Sequence, residues 1–163
     1  MMTGIQIVDS PMYYEYYVFV FAIIAVLSIY DFQYKRVPNA ALVCFLPIAL
    51  LSPLFTSLNG AEAFRSFVLS LLGAFAGFTI LLAATLASKN NQGVGGGDIK
   101  LAAILGYIYG PYGIIGILLI ASIITLPIGA AMKRKHNEKL HLPFVPFMAV
   151  GCMFVTATKI LTF

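Results

Sequence analysis

The chain has 163 residues, of which 61% are hydrophobic and only 10% are charged, and its mean hydropathy is +0.96. Such a composition has too little polar surface to cover a water-soluble globule, so we predict a protein that lies in a lipid bilayer. The formal net charge is +4, but the basic residues stand between apolar runs and form no patch on a soluble domain. This distribution argues against nucleic acid as a partner.

Apolar segments follow one another along the chain and predict an all-α membrane protein with about six transmembrane helices. A spanning helix needs about 20 mostly apolar residues. The fourth segment is too short to cross alone at about 1.5 Å per residue. We therefore expect either non-helical backbone at membrane depth or a helix that begins before Asp98. The segments cover residues 13–30, 40–58, 63–87, 98–109, 112–132 and 144–161.

The basic residues also predict the orientation. With the N-terminus outside, six spans place Arg65 and Lys159 on one side and the other eight basic residues on the opposite side, which is then cytoplasmic. No Lys or Arg precedes the first segment and no cleavage pattern follows it, so we expect it to remain as a membrane helix. The eight are Lys35, Arg36, Lys89, Lys100, Lys133, Arg134, Lys135 and Lys139.

Several apolar and aromatic positions predict packing. Gly73 and Gly77 form a small-xxx-small pair, which lets a neighbouring helix approach closely. Prolines inside apolar runs should kink or interrupt their helices, and tyrosines at the start of the first segment should anchor it at the outer interface. These are Pro47, Pro53 and Pro127, and Tyr13, Tyr14, Tyr16 and Tyr17.

The chain has two cysteines, Cys44 and Cys152, and both stand inside apolar segments. They form no Cys-x-x-Cys pair, so neither a zinc site nor a disulfide framework is indicated, and we expect no metal and no cofactor. Because no soluble domain or internal repeat stands out, we predict one membrane-embedded domain over residues 1–163.

Two of the six acidic residues stand at the ends of apolar segments. Asp31 follows the first segment and Asp98 opens the fourth, and the predicted orientation places both on the cytoplasmic side, where they can meet. Each has a structural alternative, because Asp98 after three glycines could cap a helix and Asp31 could pair with Lys35. A carboxylate within a membrane costs about 2.5–3.5 kcal/mol on insertion scales, so two on one face favour a functional site.

Three short motifs contain or follow these residues. Asp31 is followed six residues later by Val37-Pro38-Asn39, residues 95–100 read Gly-Gly-Gly-Asp-Ile-Lys, and residues 143–147 read Pro-Phe-Val-Pro-Phe. In this order they resemble the motifs of type IV prepilin peptidases, which are membrane aspartic proteases of the GxGD type. The resemblance spans nearly the whole chain.

This resemblance implies an aspartic endopeptidase (a hydrolase) of the cell (inner, cytoplasmic) membrane. It would remove the short basic leader from prepilin or pseudopilin precursors of type IV pilus and secretion systems, at the cytoplasmic face. Asp31 and Asp98 would be catalytic. The remaining motif residues would bind substrate or shape the site: Val37, Pro38, Asn39, Gly95, Gly97, Lys100, Pro143, Phe144 and Pro146.

The chain departs from the larger bacterial members of that family in one respect. Those members carry a cytoplasmic insertion with two Cys-x-x-Cys pairs and also N-methylate the new pilin N-terminus. Here nothing between the first segment and Asp31 could hold such an insertion, and the cysteine count is too low. We therefore predict the short, peptidase-only form.

Helix ends suggest roles for the two carboxylates. A carboxylate is stabilised at a helix N-terminus and destabilised at a C-terminus by about 0.3–1 kcal/mol, so we expect Asp98 to act as the base and Asp31 as the acid. Gly95 and Gly97 should allow positive φ and close approach of a substrate backbone. Pro38 should open the second helix, with Asn39 bonding locally.

Other functions remain compatible with the sequence. An archaeal preflagellin peptidase is a close alternative. A small proton-coupled transporter could use two acids as a relay, although it predicts acids near mid-membrane and inverted-repeat halves, which the sequence does not show. An inactive assembly scaffold would not need both aspartates.

Overall fold

The computed structural model describes residues 11–34, 37–53, 60–87, 95–135 and 144–161. The described part of the chain is helical and contains no strand, which confirms the all-α prediction. Its helices are α1 (Pro11–Tyr34), α2 (Asn39–Leu50), α3 (Gly60–Ala87), α4 (Gly96–Lys135) and α5 (Val145–Leu161).

The helices have the length and surface of membrane helices. Three stretches, Glu15–Tyr34, Ala63–Ala87 and Gly96–Gly129, are long and apolar enough to cross a bilayer, whereas α2 and α5 are shorter apolar helices. Large apolar side chains such as Phe64 and Phe75 of α3 are exposed on the protein surface, as expected where lipid surrounds the chain. The protein is therefore a membrane protein, and the count of six spans and the external N-terminus stay predictions.

Helix α4 consists of two halves, 96–109 and 111–135, that meet at Gly110. Gly110 has φ 74° and ψ 179°, a conformation that favours glycine, and Pro111 follows it. The halves correspond to the predicted fourth and fifth segments. The helix that contains the fourth segment begins at Gly96, before Asp98, which confirms one of the two expectations for this segment.

The chain reverses direction at Gly110. A side chain built on Gly77 of α3 would contact both Ala102 and Ile114. In one straight helix these two residues would be about 18 Å apart at 1.5 Å per residue, so they can share a neighbour only if the halves of α4 run antiparallel. The two halves form a helical hairpin against α3.

The closest helix crossing lies between α3 and the first half of α4. A Cβ atom built on Gly73 would overlap the carbonyl oxygen of Gly106, and a Cβ built on Gly106 would overlap that of Gly73. Gly77 likewise faces the carbonyl of Ala102. The predicted small-xxx-small contact is confirmed, and its partner is α4.

Several predicted boundaries were wrong. The first helix continues through Asp31 to Tyr34, because the end of an apolar run is not a helix stop and no proline occurs between Asp31 and Pro38. The second ends at Leu50 instead of continuing to residue 58, and residues 54–59 lie outside the described ranges. Pro127 does not interrupt α4, whose one non-helical residue is Gly110.

The predicted interface anchors Tyr16 and Tyr17 are buried in the protein instead. The Tyr16 hydroxyl donates to the Ile48 carbonyl at 3.1 Å, and the rings of Tyr17 and Tyr109 lie 5.6 Å apart. Buried tyrosines usually find a hydrogen-bond partner, and here they join α1 to α2 and α4. The side chains of Tyr13 and Tyr14 lie outside the described part.

Candidate active site

The two aspartates lie at the end of the bundle opposite the Gly110 turn. Asp31 lies in the last turn of α1 and is 3% exposed, and Asp98 lies in the first turn of α4 and is 9% exposed. A Cβ atom built on Gly97, the neighbour of Asp98, would lie 2.8 Å from the Cβ of Val37, which follows α1 by three residues. The structure thus places the two residues that the sequence singled out at the same end of the bundle. Asp31 lies inside α1, not beyond its end.

The start of α5 lies against Asp31. The backbone N–H of Val145 donates to Asp31 Oδ2 at 3.2 Å. No sequence pattern indicated this contact, because its partners are 114 residues apart and the donor is a main-chain group. Phe144 and Pro146, predicted as motif residues, flank Val145, whereas Pro143 lies outside the described residues.

This contact removes the basis for assigning the acid and the base. Asp98 lies at the N-terminus of α4, and Asp31 contacts the N-terminus of α5. Asp31 also lies in the last turn of α1, so it is near the negative end of one helix and the positive end of another, and helix ends alone do not assign the two roles. Which aspartate is the base stays open.

A hydrogen bond joins the first two motifs directly. Lys100 Nζ donates to Asn39 Oδ1 at 3.0 Å, across 61 residues of sequence. The expected local bond of Asn39 was therefore replaced by a long-range one. Pro38 lies at the N-cap of α2, with φ −69°, and its carbonyl accepts from the N–H of Ala41 at 3.1 Å. Pro38 thus opens the second helix as predicted.

The motif glycines matter because they have no side chain, not because of unusual backbone angles. Neither Gly95 nor Gly97 has positive φ, so that expectation was wrong. A Cβ on Gly97 would lie 2.8 Å from the Cβ of Val37, and a Cβ on Gly95 would lie 3.3 Å from Asp98 Oδ2. Gly97 allows the two aspartate motifs to pack together, and Gly95 leaves open space beside one carboxylate.

Replacing Gly97 with alanine should separate the two motifs. The new methyl group would push on the Cβ of Val37, which lies 2.8 Å away and cannot rotate out of the way. We expect a loss of about 1–3 kcal/mol in the free energy of unfolding, measured by thermal unfolding in detergent. Gly96→Ala is the matched control, because a Cβ there meets no atom within 4 Å. Equal stability of the two variants would contradict the contact.

Comparison with known protein families points to the same family as the three motifs. The sequence profile of the type IV leader peptidase family matches residues 18–130, which is more than half of the chain and includes both aspartates. The chain belongs to this family. The resemblance drawn from the three motifs is confirmed, and the membrane helices belong to a peptidase family.

Curated relatives carry the same description. Proteins named prepilin leader peptidase/N-methyltransferase are 32% identical over 132 residues in Bacillus subtilis, 32% over 111 residues in Aeromonas hydrophila and 32% over 115 residues in Burkholderia pseudomallei. The matches cover 80%, 65% and 66% of this chain but 50%, 37% and 37% of those proteins. The chain thus spans half or less of the length of these relatives. No solved structure matches it.

No metal-binding group stands out in the described part of the chain. Among those residues, no three His, Cys, Asp or Glu side chains lie close enough together to hold an ion. Cys44 is exposed and Cys152 is buried, and neither is in a disulfide. The expectation of a cofactor-free site stays a prediction.

Proposed function

We propose that the chain is an aspartic endopeptidase that removes the short basic leader from prepilin or pseudopilin precursors at the cytoplasmic face of the cell membrane. One observation carries the proposal: two buried carboxylates from different helices, Asp31 and Asp98, lie at the same end of the bundle in a chain of the leader peptidase family. Paired acids of this kind are typical of aspartic proteases.

The pair suits hydrolysis of an amide. Close carboxylates titrate together, so one holds a proton while the other is ionised. The ionised group takes a proton from water as the water oxygen bonds to the amide carbon, and the protonated group gives its proton to the carbonyl oxygen. When the tetrahedral intermediate collapses, the C–N bond breaks, the leaving nitrogen takes the proton that the first carboxyl group received from water, and one hydroxyl of the intermediate returns its proton to the second carboxylate. No acyl-enzyme forms.

The surroundings of Asp98 suit an extended peptide. Gly95 is exposed and lies next to Asp98 Oδ2, so no side chain at this position obstructs approach to that oxygen. A peptide main chain can therefore come close to the carboxylate from this side. The positive-inside distribution favours a cytoplasmic position for this end of the bundle, which is where a basic leader meets its apolar helix.

The proposal is limited to the peptidase step, carried by one domain over residues 1–163. The relatives' names also include N-methyltransferase, and we do not propose that activity for this chain. Cys44 and Cys152 cannot supply the two Cys-x-x-Cys pairs of the insertion found in larger members.

The test is to reconstitute the protein in liposomes with a synthetic peptide in which a short basic leader precedes an apolar helix. Mass spectrometry should find one cut at the junction of the two parts. A matched peptide with acidic residues in place of the basic ones should be cut more slowly. An intact junction in the first peptide would contradict the proposal.

Two further measurements in the same liposomes distinguish the alternative functions. A preflagellin-type leader peptide cut much faster than the prepilin-type peptide would transfer the assignment to preflagellin processing. Proton uptake, followed with a pH-sensitive dye inside the same liposomes, would indicate the transporter if it occurred without cleavage.

A further inference from the structure

The N-terminus of α5 is capped by a residue from another helix. The first N–H groups of any helix lack an intrahelical acceptor and usually bond to a nearby side chain or to water. In α5 the N–H of Val145 bonds to Asp31 Oδ2 at 3.2 Å, and Val145 itself is 0% exposed. The acceptor is one of the two aspartates of the site.

The sequence of the first turn leaves few other donors. Pro146 has no N–H. The N–H groups of Phe147 and Met148 both donate to the Phe144 carbonyl at 3.2 Å. The amide of Val145 is thus the one in this turn for which the structure shows a bond to a carboxylate.

We propose that the Val145 amide is a positioning group for Asp31. It holds one carboxylate oxygen at a fixed point and leaves the other for water or the scissile carbonyl. A bond from a buried amide to a carboxylate is charge-assisted and therefore stronger than a neutral one, so it restricts rotation of the side chain. This role rests on the proposed function, since it assumes that Asp31 takes part in hydrolysis.

The experiment replaces the Val145 amide with an ester, by incorporating the hydroxy acid analogue of valine. This change deletes the N–H and keeps the side chain. We expect kcat on the leader peptide to fall about 10- to 100-fold, because small displacements of a reacting group have effects of this size, with KM within twofold of wild type. An ester at Ala149, inside α5, is the control for the loss of a helical hydrogen bond. An equal loss of kcat at Ala149, or no loss at Val145, would overturn the proposal.

A stability cycle tests the contact without proteolysis. The Val145 ester should lower Tm in the wild-type background and have no further effect in Asp31→Ala, where the acceptor is gone. Additive Tm shifts would overturn the positioning role. Absence of cleavage by the wild type would instead remove the proposed function, and the cycle would still decide whether the bond exists.

Discussion

Asparagine in place of Asp31 or Asp98 should lower kcat on the leader peptide by at least about 10³-fold, since each step of general acid–base catalysis contributes roughly 10²–10⁴-fold. An amide of the same shape can neither take the proton of water nor give one to the carbonyl oxygen. Because the two groups act as a unit, the double variant should have about the same kcat as either single variant. Initial rates of peptide cleavage at saturating substrate measure the effect.

The same variants should remain folded. Each replaces a buried carboxyl group with a neutral group of the same shape, which costs less to bury, and in Asp31→Asn the side-chain amide oxygen can still accept from the Val145 N–H. We therefore expect Tm equal to or above that of wild type. Glu15→Gln is the matched control, because Glu15 is exposed on the same helix as Asp31. Full activity in either aspartate variant, or its loss in Glu15→Gln, would contradict a catalytic pair.

Alanine in place of Gly106 should destabilise the helix bundle by about 1–3 kcal/mol or more, the usual cost of overpacking. Its methyl group would overlap the backbone of Gly73, and backbone atoms of two crossed helices cannot rotate away. The two helices would have to separate along their whole contact. Thermal or denaturant unfolding in detergent micelles measures the loss.

The control is Gly116→Ala, the same change in the second half of α4. A Cβ there approaches one side-chain methyl group, of Val155, at 3.3 Å, and a side chain can shift. Because alanine is also preferred over glycine in helices by about 0.5–1 kcal/mol, the net effect should be small. If Gly106→Ala were as stable as Gly116→Ala, the close crossing at Gly73 would be refuted.

Local patterns were sufficient to single out two candidate aspartates but not to show how they are held. Asp31 and Asp98 were recognisable because a carboxylate beside a membrane segment is costly and because the glycine and proline motifs around them are specific. The bond from Val145 to Asp31 was not recognisable, since a main-chain donor has no sequence signature. The assignment of acid and base, built on α1 and α4 alone, stays a prediction, because α5 also reaches the site.

The sequence also did not indicate which residues pack against the small residues. Gly73 and Gly77 indicated a close helix contact, but only the structure shows that Gly106 and Ala102 lie opposite them. Asn39 was expected to bond near its own position and instead bonds to Lys100. Residues far apart in sequence come together through helix packing, which local propensities do not encode.

The sequence by itself determined that this is an all-α membrane protein and singled out two carboxylates as candidates, because hydropathy and motif spacing are local properties of the chain. The tertiary structure decided how those carboxylates are held. It showed that α4 folds back at Gly110, that Gly97 allows Val37 to approach, and that the first turn of α5 donates to Asp31. Each of these depends on which helix surfaces meet, and that follows from the packing of the whole bundle.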